Sequence, residues 1–138
     1  MKICLKTYAK RERPEHVVVR VHDRLPAFVH SPCELTCDFH VEGQRNYYLI
    51  LLEVQGTLEL TCQRCLGDFQ YTYHNKSELA VCRSDEVAEQ LMASYECIVS
   101  ESDEVDLVEI ITDELHLYCP EKHSDSMICD VIINPFAG

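Results

Sequence analysis

Strict alternation of apolar and polar side chains marks the segment 35–42. Its apolar residues are Leu35, Cys37, Phe39 and Val41, and its polar residues are Thr36, Asp38, His40 and Glu42. Because successive side chains of a β-strand point to opposite faces of the sheet, this segment is predicted to be a strand with one buried face. Turn-forming residues 43–46 and the apolar run 47–54 follow, so the strand is predicted to continue into a hairpin.

A second alternating segment, 57–62, ends in a Cys-x-x-Cys turn formed by Cys62 and Cys65. Gly56 interrupts the extended run just before it, and a glycine inside a strand predicts a bulge or a bend. Alternation resumes over residues 69–74. Further strands are predicted at residues 3–8, 16–22 and 95–99, and residues 79–82 either extend the strand over residues 69–74 or add one more.

After residue 83 the hydrophobic period changes from two residues to between three and four. Ser84 is a suitable N-cap for a helix over residues 85–93, and Asp103 is a suitable cap for a second helix over residues 104–118. The apolar face of the second helix is predicted to contain Leu107, Val108, Ile111, Leu115 and Tyr118, whereas Glu109, Asp113 and Glu114 are expected to face water.

These elements predict an α+β fold. It consists of an antiparallel β meander of roughly five to seven strands, which could curl toward a barrel, and two helices near residues 85–93 and 104–118. At 138 residues the chain has the length of a single domain, 1–138, with one hydrophobic core. Residues 35–138 carry the clear patterns, whereas residues 1–34 form an N-terminal segment with few decisive signals.

The sequence contains no apolar run long enough to span a membrane. Its basic first residues are not followed by the apolar core and cleavage site of a signal peptide. We therefore expect a cytoplasmic protein, in which the nine cysteines stay reduced and most of them pack as small apolar side chains.

Charge is distributed unevenly along the chain. Residues 1–24 contain seven basic and three acidic residues, whereas the other 114 residues contain five basic and 21 acidic ones. Between Ser84 and Glu114 there are eleven acidic residues and no lysine or arginine. A solvated acidic surface is one interpretation; the other is a surface that attracts a basic partner and repels nucleic acid. Phosphate binding depends on lysine and arginine, so contacts to RNA would come from the N-terminal segment.

The cysteines of the Cys-x-x-Cys turn offer the first pair of ligands for a structural metal. Zinc takes four thiolate or imidazole ligands, commonly as two short-spaced pairs from separate loops. The candidate set is Cys62, Cys65, His123 and Cys129, with Cys119 as a possible replacement in the second pair. Two alternatives stay open, namely reduced thiols that only pack in the turn and a redox pair.

No catalytic motif stands out from the sequence. The seven histidines are scattered, the chain has only four glycines, and no glycine-rich phosphate loop is present. His116 is expected to be a structural histidine, and the acidic residues of the second helix are expected to form a solvated face rather than a cation site. We therefore expect a protein that is not an enzyme and has no small-molecule substrate.

Several motifs together resemble the bacterial YceD family, the large ribosomal RNA subunit accumulation proteins. The similarity covers residues 35–138 well and the first 34 residues poorly. The matching segments are Thr57–Cys65 with Phe69 and Tyr71, Val81–Glu89, Val105–Glu109 continuing through Asp113–Leu115, then Pro120, His123, Cys129 and Asn134–Ala137. At Cys119 the family often has an apolar residue, which argues against Cys119 as a metal ligand.

The resemblance implies a cytoplasmic, non-enzymatic factor for the synthesis, processing or stability of 23S rRNA. Its partners would be the large ribosomal subunit precursor, 23S rRNA or a basic ribosomal protein. The residues expected to contact RNA or such a partner are Lys6, Lys10, Arg11, Arg13 and Arg64. The alternative is a small zinc-binding or redox module that binds another protein through its cysteine turn.

Overall fold

A computed structural model describes residues 1–122 of the protein. Within that range the chain forms seven strands and three helices. The strands are β1 (Lys2–Cys4), β2 (Glu15–Val21), β3 (Cys33–Gly43), β4 (Tyr47–Thr61), β5 (Asp68–Cys82), β6 (Glu96–Val99) and β7 (Glu104–Asp106); the helices are α1 (Leu5–Tyr8), α2 (Asp85–Leu91) and α3 (Leu107–Tyr118).

Five strands form one sheet in the order β2-β3-β4-β5-β6. The first four make an antiparallel meander, and β6 returns parallel to β5 after α2. A separate two-stranded antiparallel sheet joins β1 to β7. The predicted α+β meander is thus confirmed, and its sheet is open rather than closed into a barrel. No helix in residues 1–122 has the length and apolar character needed to cross a membrane.

The longest pairing is the hairpin of β4 and β5, which runs without a register change from Tyr47 opposite Cys82 to Thr61 opposite Asp68. Gly56 pairs with Tyr73 inside this regular ladder, so the pairing contains no bulge at the glycine. A Cβ atom at Gly56 would lie 2.8 Å from Cδ2 of Leu35 and 2.9 Å from the carbonyl oxygen of Glu34. Close approach of β3 therefore explains this glycine.

The core lies between α3 and one face of the five-stranded sheet. Leu107, Ile111 and Leu115 on α3 are fully buried in one cluster with the inward-facing residues of β3, such as Phe39. Six residues of the N-terminal segment belong to the same cluster: Ile3, Leu5, Val19, Val21, Val29 and Cys33. Residues 1–34 therefore contribute directly to the hydrophobic core.

Both predicted helices are shorter in the structure, since α2 ends at Leu91 rather than at residue 93 and α3 begins at Leu107 rather than at residue 104. Residues 104–106 pair with β1 rather than opening the second helix, and the carboxylate of Asp106 accepts the backbone N–H of Val108 at 3.0 Å, so Asp106 is the N-cap in place of Asp103. For α2 the predicted cap is confirmed, because Ser84 Oγ accepts the N–H of Val87 at 3.3 Å. At the N-terminus, residues 5–8 form α1 instead of continuing a strand.

The prediction that Glu114 faces water is wrong. Its side chain is 3% exposed and points to the sheet, where Ser77 Oγ donates to Oε1 at 2.5 Å and Asn75 Nδ2 donates to Oε2 at 3.3 Å. Burial raises the pKa of the Glu114 carboxyl, and the two hydrogen bonds oppose that shift. Glu114 therefore anchors α3 to β5 through a polar contact inside the core.

Candidate functional site

The Cys-x-x-Cys turn connects β4 to β5 and has well-defined backbone bonding. The N–H of Leu66 donates to the carbonyl oxygen of Cys62 at 2.7 Å, and the N–H of Cys62 donates to that of Gly67 at 2.9 Å. Leu66 adopts a left-handed conformation with φ of 63°. Cys62 is completely buried and Cys65 is half-buried. The turn thus holds both cysteines close together at one end of the long hairpin.

The segment that follows α3 reaches this turn. The backbone N–H of Gln63 donates to the carbonyl oxygen of Glu121 at 2.8 Å. The other two candidate metal ligands, His123 and Cys129, lie outside the described residues. A backbone hydrogen bond therefore joins the turn that contains Cys62 and Cys65 to residue 121, which directly precedes the segment that contains the other two candidate ligands.

Cys119 is placed differently from a thiolate ligand. It follows α3, is 6% exposed and packs in the main core cluster, and burial raises the pKa of its thiol to about 11. The Cys119 side chain therefore packs as a small apolar group. The structure thus agrees with the resemblance in leaving Cys119 out of the candidate site.

Sequence reasoning missed a set of oxygen and nitrogen donors on the polar face of the hairpin. One donor atom each from His30, Glu59 and Asp68 lies within 4.8 Å of the others, and Nε2 of His30 is 3.2 Å from Oδ1 of Asp68. These residues come together because residues 28–30 pair with the end of β4. The order of polar and apolar residues along the sequence does not predict that pairing. All three side chains are exposed, and a solvated hydrogen bond between His30 and Asp68 accounts for the arrangement without a metal.

The candidate RNA-contacting residues occupy two separate places. Lys6, Lys10 and Arg13 are exposed around α1, and within residues 1–122 they lie in no ion pair. Arg11 is occupied locally, because it stacks over the ring of Tyr8 with Cζ 4.4 Å from the ring centre and donates to Glu15 Oε1 at 2.6 Å. The group near α1 therefore keeps three free cationic side chains.

Arg64 lies far from that group. It is exposed in the Cys-x-x-Cys turn, beyond the last residue of the 15-residue β4. Ala9, at the end of α1, lies beside Gly43 at the turn that precedes β4. Because a strand rises about 3.3 Å per residue, the length of β4 separates Arg64 from the basic residues around α1.

Acidic side chains dominate the exposed positions of residues 84–114. Of the eleven acidic residues between Ser84 and Glu114, eight are exposed, namely Asp85, Glu86, Glu89, Glu96, Glu101, Glu104, Glu109 and Asp113. Arg83 pairs with Asp103 at 3.3 Å, and Arg24 approaches Glu109 at 3.9 Å, but most of these carboxylates face solvent. Residues 84–114 therefore form a largely acidic surface, and β7 of that segment pairs with β1, which places Asp106 opposite Lys2.

Comparison with known proteins identifies the family. The family model described as "Large ribosomal RNA subunit accumulation protein YceD" matches residues 50–132, which is more than half of the chain. The match includes most of β4, the Cys-x-x-Cys turn, β5, α2 and α3. No solved structure matches the chain. The protein therefore belongs to the YceD family of large ribosomal RNA subunit accumulation proteins.

Proposed function

We propose that this protein is a non-enzymatic factor that supports the synthesis, processing or stability of 23S rRNA during assembly of the large ribosomal subunit. The observation that carries the proposal is membership of the YceD family, whose description names accumulation of large-subunit ribosomal RNA. Assembly of ribosomal subunits takes place in the cytoplasm, which is the location this proposal assigns to the protein.

The exposed charged side chains of the folded chain support a docking role. Free cations near α1, such as Lys10 and Arg13, suit a phosphate backbone, whereas the acidic surface of residues 84–114 suits a basic protein. Ribosome precursors present both kinds of partner. The protein would therefore contact an assembly intermediate with two surfaces of opposite charge.

Deletion of the gene tests the proposed function directly. We expect the ratio of 23S to 16S rRNA to fall and large-subunit precursors to accumulate in sucrose gradients. Affinity purification of the tagged protein, with and without nuclease, would show whether ribosomal components are held through RNA or through protein. Unchanged 23S rRNA in the deletion strain, together with no ribosomal component in the purification, would contradict the proposal.

Contact with RNA is tested through the basic residues. Replacement of Lys6, Lys10 and Arg13 by alanine is expected to weaken binding to a 23S rRNA fragment and to reduce its salt dependence, since each phosphate contact releases counterions. Arg64→Ala serves as the matched comparison at the other end of the hairpin. If Arg64→Ala alone removed the binding, the RNA surface would lie at the cysteine turn instead.

A second candidate function is a small module built on the cysteine turn, which binds another protein and contains structural zinc or a redox pair. The hydrogen bond between Gln63 and Glu121 favours it, because it gathers two parts of the chain at the turn. Metal content and thiol oxidation distinguish the zinc and redox forms.

A hydrolytic enzyme that uses cysteine and histidine is the third possibility, and it predicts one thiol that reacts much faster than the others with iodoacetamide.

A further inference from the structure

The five-stranded sheet has an open face opposite α3, and a groove of about 730 Å³ lies on it. The orientation follows from the strand alternation: Ser77 contacts Glu114 of α3, so its neighbours Lys76 and Glu78 point to the other side of the sheet. The groove is lined by residues of β3, β4 and β5 and by Glu12 and Pro14 from the loop before β2.

Cross-strand pairing arranges the lining side chains in two rows. Asp38, Glu53 and Lys76 are paired across the three strands and form the first row. His40, Leu51 and Glu78 form the second row, two residues further along each strand. The rows are therefore roughly 6.7 Å apart, which is also the distance between alternate side chains of an extended peptide.

The groove carries more negative than positive charge. Its lining contains four carboxylates, those of Glu12, Asp38, Glu53 and Glu78, and one ammonium group, that of Lys76. Lys76 Nζ lies 3.1 Å from Glu53 Oε2 and is thus already paired. This hydrogen bond lowers the pKa of Glu53, with a smaller contribution from His74, so the carboxylate stays ionised.

Two carboxylates in the groove have no cationic partner. Neither Glu12 nor Glu78 takes part in an ion pair within the described chain, and both are exposed. They lie on opposite sides of the groove, because Glu12 precedes the edge strand β2 and Glu78 belongs to β5. Leu51 provides an apolar surface between them.

We propose that this groove binds an extended, lysine- and arginine-rich segment of a partner protein. Long basic side chains pack their methylene groups on apolar surface and place their charged ends at carboxylates, which matches Leu51 flanked by Glu12 and Glu78. Nucleic acid is disfavoured here, because its phosphates would face carboxylates. This assignment rests on the proposed function, for which it names the chemistry of the protein partner.

Fluorescence anisotropy with a labelled synthetic peptide tests the groove. The peptide alternates lysine or arginine with serine, and the full-length protein is the titrant. The double variant Glu12→Gln with Glu78→Gln is expected to bind the peptide roughly tenfold more weakly, since two exposed charge contacts are lost. Both side chains are exposed, so the fold is expected to persist, and circular dichroism checks this.

A variant with the same change in net charge separates the groove from general attraction. Glu109→Gln with Asp113→Asn removes two exposed carboxylates from α3, on the other side of the sheet. It is expected to change peptide affinity by less than about twofold, because charges on opposite sides of the protein are largely screened. Equal losses in the two variants would overturn the assignment, and so would tighter binding of a labelled oligouridylate than of the peptide.

The groove and the proposed function can fail separately. If deletion lowers 23S rRNA but the peptide does not distinguish the two double variants, only the groove assignment is wrong. If the peptide distinguishes them but deletion leaves 23S rRNA unchanged, the groove binds basic segments and the proposed function is wrong.

Discussion

Ser77 donates a hydrogen bond to the buried carboxyl of Glu114 at 2.5 Å and thereby joins β5 to α3. The contact lies next to the apolar residues that hold the same helix on the sheet. A carboxylate in this position must be desolvated when it is ionised, whereas a protonated carboxyl is buried at lower cost. The protonation state of Glu114 is thus coupled to the stability of the fold.

The raised pKa of Glu114 predicts a specific pH dependence. Between the unfolded pKa of about 4.3 and the higher folded pKa, the native state binds more protons than the unfolded state. The contribution of Glu114 to the free energy of unfolding is therefore fully present below about pH 4.3 and is lost as the pH rises through the folded pKa. Glu114→Gln should lack this loss, so its stability relative to the unmodified protein should increase with pH.

Urea denaturation of the unmodified protein and of Glu114→Gln, from about pH 4.3 upward, measures the difference between their free energies of unfolding. The contributions of other titratable groups cancel in this difference. Glu109→Gln is the control, because Glu109 is an exposed residue of the same helix. The control separates burial from the loss of a charge on α3, and its difference should change less with pH than that of Glu114→Gln. Parallel stability curves for Glu114→Gln and the unmodified protein would contradict the prediction.

Gly56 predicts a steric effect. Alanine at this position would place its methyl group 2.8 Å from Cδ2 of Leu35 and 2.9 Å from the carbonyl oxygen of Glu34, so β3 must move. We expect Gly56→Ala to lower the free energy of unfolding by ~1–3 kcal/mol, as measured by chemical denaturation.

Gly43 provides the matched control for Gly56. There the added methyl group would lie 3.7 Å from Cβ of Ala9, which is an ordinary van der Waals contact. Gly43→Ala is expected to be neutral or to stabilise by up to ~1 kcal/mol, since alanine restricts the unfolded chain. Equal destabilisation by the two substitutions would show that the close approach at Gly56 is not the cause.

The N-cap of α3 predicts a difference between two aspartates that lie three positions apart. Asp106→Ala removes the acceptor for the N–H groups of Val108 and Glu109 and should cost about 1 kcal/mol of stability. Asp103→Ala removes only an exposed ion pair with Arg83 and should cost less than ~0.5 kcal/mol. Thermal or chemical denaturation of the two variants tests this, and the reverse order would place the cap at Asp103.

The zinc hypothesis predicts a defined metal content. If the cysteine turn binds a structural metal, protein purified without added zinc should contain about one zinc ion per chain, measured by elemental analysis. Cys65→Ser should then lose both the metal and stability, while Cys97→Ser, a half-buried cysteine beside α2, should keep the metal. Metal-free protein with nine titratable thiols would leave packing as the role of the turn.

The two-residue alternation predicted the central strands well. It located β3, the turn after Gly43 and the strand that enters the Cys-x-x-Cys turn, because each strand has one buried and one solvated face. The parallel pairing of β6 was not predictable in this way. It depends on where α2 packs, and strand patterns do not specify which neighbour a strand selects.

The error at Glu114 has a physical reason. Residue 114 follows Leu107 by seven positions and Ile111 by three, so helical spacing places it on the buried stripe. The prediction gave more weight to the charge of the side chain than to its position. The compensating donors, Ser77 and Asn75, come from a distant strand, and only the folded register brings them to the carboxyl.

The groove was only partly predictable from the sequence. Alternation correctly grouped Asp38 and His40 on one polar face, but their neighbours on β4 and β5 depend on hairpin register. Glu12 comes from a loop that has no periodic signal. The groove is assembled from three strands and a loop, so the sequence of any one of these segments does not predict it.

The pairing of β1 with β7 has a consequence for biosynthesis. Ile3 lies opposite Val105, so β1 finds its partner only after β2 to β6 have been translated. Until then the apolar side chains of Ile3 and Leu5 have no complete core to enter. Closure of this small sheet therefore comes late in folding, and β1 stays open to chaperones while the hairpin of β4 and β5 folds.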